Sequence, residues 1–235
     1  MGQVLTRSIA AHEGLQLASI WVRDAAQVES LDLPTDVLVS TDINQVAGAS
    51  DVVIDFSLPA ATSDVISAAT GQGKPLVCGV SGLSDAQLAE IDVAARSVAI
   101  VYDRNMSLGI AVLEGVVRQA VGALGADFAV EVHETHHIHK IDAPSGTALK
   151  LGEVIAAARG SDKDDIHYEV ERRGEVPGDH TVVLFSGTER LALGHSVTTR
   201  QVFADGALRA AKWVVQQGPG RYSIKDVLER SSESD

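Results

Sequence analysis

Hydrophobic positions follow two rhythms along the first 105 residues. Val4, Leu5 and Ile9 recur at helical spacing and predict a short amphipathic helix, followed by a strand over residues 15–22. Val52, Val53 and Ile54 form an apolar run unbroken until Asp55, the pattern of a strand covered on both faces. A helix is expected from about Pro59 to Gln72, closed by Gly71 and Gly73. Residues 75–78 and 98–102 read as further short buried strands. Between them Ser84 opens a helix, with Gln87 as its capping-box partner and Leu83 and Leu88 at the staple positions. The repeated strand–helix rhythm predicts a doubly wound, mostly parallel α/β sheet, a fold that binds ligands at the carboxyl ends of its strands.

The rhythm changes after Asn105. Ile110, Leu113, Val116, Val117, Ala120, Val121 and Leu124 trace one apolar helical face. Residues 128–133 read as a strand, and 145–159 as a helix with Gly160 at its C-terminal cap. Residues 167–170, 181–185, 190–193 and 196–202 read as strands without helices between them. An α+β second half is therefore expected, with a mostly antiparallel sheet exposed on one face. A last helix is predicted over 207–216, ahead of a polar tail, 231–235, expected to fray.

Composition narrows the class. The 235 residues leave room for two small domains, and the 45% hydrophobic content supplies a core built from Val, Ile, Leu and Ala, since aromatics are only 4%. Nineteen Lys and Arg against 32 Asp and Glu give a net charge of −13, which opposes nucleic acid and anionic membranes as partners. An anionic ligand must then be held by local positive features. The single cysteine, Cys78, excludes an internal disulfide and an all-cysteine zinc site. No apolar run is expected to reach the roughly 18 residues of a membrane span, and the N-terminus lacks a signal-peptide pattern. A soluble, cytoplasmic protein is expected.

Four of the eight histidines fall between His133 and His139. Three readings compete for this segment. One is a solvated polar loop. Another is a metal site, although a structural zinc needs four fixed donors and only Glu134 and Asp142 add carboxylates nearby. The third is proton chemistry with an anion seat: a histidine suited to acid/base work near neutral pH, a lysine four residues on, and a helix opening at Ser145, Gly146 and Thr147 whose free N–H groups suit a carboxylate or phosphate.

The stretch from His136 to Ala148 reads His-His-Ile-His-Lys-Ile-Asp-Ala-Pro-Ser-Gly-Thr-Ala. It closely resembles the signature of the 4-hydroxy-tetrahydrodipicolinate reductase (dihydrodipicolinate reductase) family of the diaminopimelate–lysine pathway. The resemblance extends to the run from Ile54 to Pro59, the turn Gly79-Val80-Ser81-Gly82, the stretch from Asp103 to Ser107 and the lead-in from Phe203 to Ala207. It implies a Rossmann-like domain for NADH or NADPH over residues 1–105 and 203–235. An α+β domain for substrate and homotetramer formation is implied over 106–202. By resemblance His136 is the general acid/base, Lys140 a proton donor, and His137, Gly146 and Thr147 contact the two carboxylates of the substrate. Gly79, Val80 and Ser81, with Asp103, Arg104, Asn105 and Met106, would line the nicotinamide half of the cofactor.

Some features depart from the family pattern. The acidic residue expected at the adenosine ribose is not evident: the strand ends Trp21-Val22-Arg23-Asp24, with Asp24 one position late, and Arg23 either meets a 2′-phosphate, which favours NADPH, or is a solvated strand-end charge. Residues 173–182 look short, as though a β excursion were missing. The sequence opens on Met1-Gly2-Gln3, which resembles the end of the family's glycine-rich loop, so the first strand and most of the pyrophosphate seat are expected to be absent. Such a chain would leave an exposed apolar slot beside unpaired strands, a first domain less stable than the second, and weak cofactor affinity. The main alternative is a non-catalytic ligand-binding or scaffold relative that has lost its cofactor loop. A metal-dependent hydrolase using the histidines is a third possibility.

Overall fold

The computed structural model describes residues 1–24, 28 and 33–229. In chain order the elements are α1 (Gly2–Ala10), β1 (Ser19–Trp21), β2 (Leu38–Ser40), α2 (Ile43–Gly48), β3 (Val53–Asp55), α3 (Pro59–Gly71), β4 (Leu76–Cys78), α4 (Asp85–Ala94) and β5 (Ala99–Tyr102). They continue with α5 (Leu108–Leu124), β6 (Ala129–His136), α6 (Gly146–Arg159), β7 (His167–Arg172), β8 (Asp179–Phe185) and β9 (Arg190–Ser196). The chain closes with α7 (Gln201–Val214), β10 (Gly220–Tyr222) and α8 (Ile224–Glu229). It separates into two compact units, Met1–Met106 with Phe203–Asp235, and Ser107–Val202.

The first unit carries a four-stranded parallel sheet in the order β10-β5-β4-β3. Leu76 and Ile100 have no exposed surface and share a core with Val65, Ile66, Ala69 and Ile91 of α3 and α4, while Val77 and Val101, which alternate with them, are equally buried. Continuous apolar runs in β4 and β5 are what strands buried on both faces require. The start of α4 is fixed as the sequence predicts: Ser84 accepts from the Gln87 amide at 3.3 Å, and Gln87 Oε1 accepts from the Ser84 amide at 3.1 Å.

The single sheet expected here is corrected to two. Strands β1 and β2 form a separate parallel pair. Among the described residues β1 pairs only with β2, and β3 only with β4. A cleft of about 690 Å³ lies beside both strands, lined by Leu5, Leu17, Ile20, Val53, Ile54 and Val215 among others. The pattern-based reading missed β2, α2, β10 and α8, which have only three to six residues each. Two of them are set by polar side chains: Asp42 caps α2 through the Asn44 amide at 2.9 Å, and Asp226 accepts from the Ser223 amide at 2.7 Å before α8.

The second unit is a four-stranded sheet in the order β7-β6-β8-β9. Strands β8 and β9 run antiparallel, as do β6 and β8, but β7 runs parallel to β6. The helix α6 between them serves as the crossover that a parallel pair needs, which the alternation of apolar residues alone did not reveal. The strand expected over 196–202 is also corrected. Only Ser196 belongs to β9. Val197 turns inward and donates its amide to the Gly178 carbonyl at 3.2 Å, and Thr199 Oγ1 accepts from the Gln201 amide at the start of α7. The core joins Ile110, Val117 and Val121 of α5, Leu151 and Ile155 of α6, and Val132, Val182 and Leu184 of the sheet. Gly160 ends α6 at φ 66°, the left-handed conformation that glycine adopts without a Cβ clash.

The expectation that no segment reaches membrane-spanning length is corrected by residues 108–127. They form 20 helical residues of mean hydropathy 1.4, long and apolar enough to cross a membrane. Within the second unit, Ile110, Leu113, Val117 and Val121 pack into the core, and Glu114 pairs with Lys150 at 3.0 Å.

Candidate active site

The site grows from the pleat of β6. Val132, Glu134 and His136 are buried in alternation, so the apolar face that anchors the strand also carries a carboxylate and an imidazole inward. The antiparallel partner β8 adds His180 from the same inward set as Val182 and Leu184. The Glu134 side chain has no exposed surface. Its two oxygens each accept from the Ser145 amide at 3.1 Å, and Oε1 accepts from both terminal nitrogens of Arg172 at 3.3 Å. His136 Nδ1 lies 3.5 Å from Glu134 Oε2, and His180 Nε2 3.7 Å from the same oxygen. The rings of His136 and His180 meet edge to face at 5.0 Å.

These contacts set the ionisation of both histidines. Burial pushes His136 below the ordinary imidazole value, helped by the charges of Lys140 and Arg172 and opposed by Glu134. Burial, with the neighbouring His136, His195 and Lys140, pushes His180 down to about 3. Both rings are therefore neutral near pH 7. His180 Nε2 lies 3.1 Å from Ser145 Oγ, and that hydroxyl also caps α6 by accepting from the Ala148 amide at 3.2 Å.

The turn after β6 brings up Lys140, whose Nζ contacts Asp142 Oδ1 at 2.8 Å. The Asp142 carboxyl is held below its ordinary value; burial opposes this, and the hydrogen bond and charge of Lys140 outweigh it. Helix α6 then opens with Gly146 half-buried and Thr147 buried. A helix start of this kind leaves first-turn N–H groups that suit an anion, and it lies close in sequence to the lysine and histidine. His137 is half-buried, its Nδ1 is enclosed without a hydrogen-bond partner, and its ring stands 6.1 Å from that of His139. The second unit thus gathers His136, His137, Lys140, Gly146 and Thr147 on one strand end, one turn and one helix start.

Sequence reasoning passed over Arg172 and His180, and it weighed Glu134 only as a metal ligand. The period-2 alternation through Val132, Glu134 and His136, and through His180, Val182 and Leu184, carried a signal for two of them. Arg172 stands opposite His136 only because β7 is parallel to β6.

Donor atoms of Glu134, His136 and His180 lie within 4.8 Å of one another, as do those of Glu131, His167 and Glu169. At the first group a cation would compete with the Arg172 guanidinium and the Ser145 amide for the same carboxylate oxygens. That donor set favours proton chemistry over metal binding. At the second group His133 already engages Glu131 at 2.7 Å and Glu169 at 3.3 Å.

In the first unit the remaining expected residues lie at the carboxyl ends of adjacent parallel strands. Gly79, Val80 and Ser81 follow β4, and Asp103, Arg104, Asn105 and Met106 follow β5. The Gly79 amide donates to the Asp55 carbonyl at 2.9 Å, and the Asp103 amide to the Cys78 carbonyl at 3.2 Å, which joins the strand ends. A Cβ on Gly79 would fall 2.3 Å from the Phe56 ring, so any larger residue there would require that ring to move. The side chains of Val80 and Met106 are buried, whereas Ser81 is exposed. Burial and the nearby Asp55 push the Cys78 thiol up to about 12, so it stays protonated. Arg23 is exposed two residues beyond the end of β1. Helix α1 starts at Gly2, with Met1 at the N-cap position and no side-chain cap, and Gly2 lines the cleft beside β1 and β3. Polar backbone at strand ends and an uncapped helix start fit a dinucleotide.

The chain is similar to known proteins along most of its length. Residues 1–106 match the family model for "Dihydrodipicolinate reductase, N-terminus", and residues 109–228 that for "Dihydrodipicolinate reductase, C-terminus". The chain is 40% identical over 245 residues to the 4-hydroxy-tetrahydrodipicolinate reductase of Sulfurovum sp., covering 97% of this chain and 94% of the relative. It is 41% identical over 248 residues to that of Sulfurimonas denitrificans, covering 97% and 95%. The fold is similar to that of a dipicolinate-bound dihydrodipicolinate reductase from Paenisporosarcina sp. TG-14, with a TM-score of 0.82 at 20% identity over 97% of this chain and 95% of that one. On the two family matches and the identity to these relatives, the chain belongs to the dihydrodipicolinate reductase family.

Proposed function

We infer that the chain is an NAD(P)H-dependent oxidoreductase that converts 4-hydroxy-tetrahydrodipicolinate to tetrahydrodipicolinate in diaminopimelate and lysine biosynthesis. Membership of the family and the names of its relatives support this reading. The comparisons lend nothing to a non-catalytic scaffold. The carrying observation is the grouping of a neutral buried His136, the Lys140 ammonium and the start of α6 within one unit.

The substrate is a dianion and the protein carries a net charge of −13, so binding needs concentrated local attraction. Thr147, the Gly146 backbone and His137 are assigned to its carboxylates, and Lys140 adds a positive charge. A bound reduced nicotinamide supplies the hydride. Lys140 gives the proton that lets the 4-hydroxyl leave as water, and His136, neutral at working pH, exchanges protons with the reacting ring as acid and base. In the first unit Gly79, Ser81 and the backbone of Val80, with Asp103, Arg104, Asn105 and Met106, are assigned to the nicotinamide half of the cofactor. Arg23 at the strand end favours NADPH over NADH through a 2′-phosphate. A cytoplasmic homotetramer assembled through the sheet of the second unit completes the reading.

Dipicolinate, the ligand named for the Paenisporosarcina reductase, is a planar dicarboxylate and a direct probe of the seat. Calorimetric titration of the protein with dipicolinate is expected to show binding that weakens in Lys140→Ala and Thr147→Val. Equal affinity in all three proteins would contradict the assignment.

A further inference from the structure

We propose that Arg172 is a positioning residue, which holds the turn carrying Lys140 in its working conformation while anchored on the buried Glu134. The proposal rests on the assignment of Lys140 as proton donor. Arg172 is the last residue of β7 and stands directly opposite His136 in the parallel register. Its guanidinium has five N–H donors, and five contacts occupy them. Nε donates to the Lys140 carbonyl at 3.2 Å, and Nη2 to the Asp142 carbonyl at 2.5 Å. Nη1 and Nη2 both reach Glu134 Oε1 at 3.3 Å, and Nη1 also donates to the Glu171 carbonyl at 2.9 Å.

The two carbonyls flank Ile141, which is 97% exposed and so gives the turn no apolar anchor. Other backbone bonds of the turn lie nearer its start. The Arg173 amide donates to the His136 carbonyl at 2.8 Å, the Ile138 amide to the Gly174 carbonyl at 3.1 Å, and the Lys140 amide to the His137 carbonyl at 3.1 Å. Beyond Lys140, the Lys140–Asp142 side-chain pair and the Arg172 fork fix the turn. Glu134 in turn is fixed by the Ser145 amide, so the fork ties the strand end, the turn and the start of α6 together.

A planar fork performs this task and an ammonium does not, because a lysine cannot bridge two carbonyls and a carboxylate in one plane. If Arg172 only balanced the charge of Glu134, lysine would serve. The test is the substitution Arg172→Lys, alone and combined with Lys140→Ala, in the full chain with saturating NADPH. The expected result is a fall in kcat of roughly 10²-fold for Arg172→Lys, the scale of a misplaced reacting group, with unchanged NADPH affinity. The double variant should be no slower than Lys140→Ala, because the arginine acts through that lysine. Amide hydrogen exchange should speed up at residues 140–142 and hold elsewhere, a readout that does not depend on turnover. Wild-type kcat in Arg172→Lys would overturn the proposal, as would unchanged exchange at 140–142 or fully multiplied losses in the double variant. If Lys140→Ala itself turned over at the wild-type rate, the assignment of Lys140 would fail and the proposal with it. An impaired Lys140→Ala beside an unimpaired Arg172→Lys would remove the proposal alone.

Discussion

Nδ1 of His136 lies 3.5 Å from Oε2 of Glu134, a carboxylate with no exposed surface. The carboxylate favours a protonated imidazole, yet burial and the cations Lys140 and Arg172 win, and the ring stays below its ordinary value. Glu134 is the strongest single charge acting on the ring, and its oxygens are shared with Arg172 and the Ser145 amide. A neutral imidazole next to an ammonium is thus an outcome of how β6, β7 and α6 meet.

The first prediction follows from that pair. His136→Gln or Lys140→Ala should lower kcat by roughly 10²-fold or more, the usual scale for a positioned proton donor or acceptor. NADPH affinity should be unchanged, since both residues lie in the second unit. Steady-state kinetics with a fluorescence titration of NADPH separates the two effects; normal turnover in His136→Gln would sink the assignment.

Thr147 is buried at the first turn of α6. Thr147→Val keeps the shape and removes the hydroxyl. Substrate binding should weaken by about 1.5–3 kcal/mol, the scale for a lost hydrogen bond to a charged group. An unchanged substrate dissociation constant in the variant would count against a carboxylate seat here.

How much of this was legible depended on where each residue's role is decided. His136, Lys140 and Thr147 sit within one continuous stretch, so local sequence could place them on a strand end, a turn and a helix start. The capping box of Ser84 and Gln87 and the Gly160 cap were legible for the same reason: each is fixed by neighbours within a few positions. Arg172 and His180 join the site only through strand register, a non-local choice. The Ser196–Val202 stretch misled because its β-branched residues read as a strand, whereas Val197 packs inward and Thr199 sets up α7. Strand β2 and helix α2 are too short for any periodicity to register.

His180 makes a prediction about acid stability. Its folded-state value is about 3, against an ordinary 6.5, under burial and the facing charges of His136, His195 and Lys140. Glu134 lies 3.7 Å away and Ser145 Oγ 3.1 Å away. Between these values the unfolded chain binds the proton more readily, so stability should fall as pH drops from 6.5 towards 3. The loss from this group is on the order of a few kcal/mol. In His180→Gln that part of the slope should vanish. Urea unfolding across this range would show it, and identical slopes for both proteins would refute it.

Assembly gives a further prediction. Val170, Phe185 and Leu191 of the second unit's sheet are large exposed apolar side chains in the single chain. Burying them between copies would remove that exposure. Light scattering at micromolar concentration should give four times the 24.7 kDa chain mass. Exchange of Leu191 for Glu should lower the mass, whereas a monomer mass for the unaltered protein would reject the tetramer.

The central claim is reductase chemistry at His136 and Lys140, and the most direct measurement follows reduced-nicotinamide absorbance when enzymatically generated 4-hydroxy-tetrahydrodipicolinate is added at saturating NADPH or NADH. The account predicts consumption of the cofactor only when substrate is present, with the rate reduced by roughly 10²-fold or more in His136→Gln. No consumption of either cofactor by the folded wild-type protein, or equal consumption by His136→Gln, would contradict it.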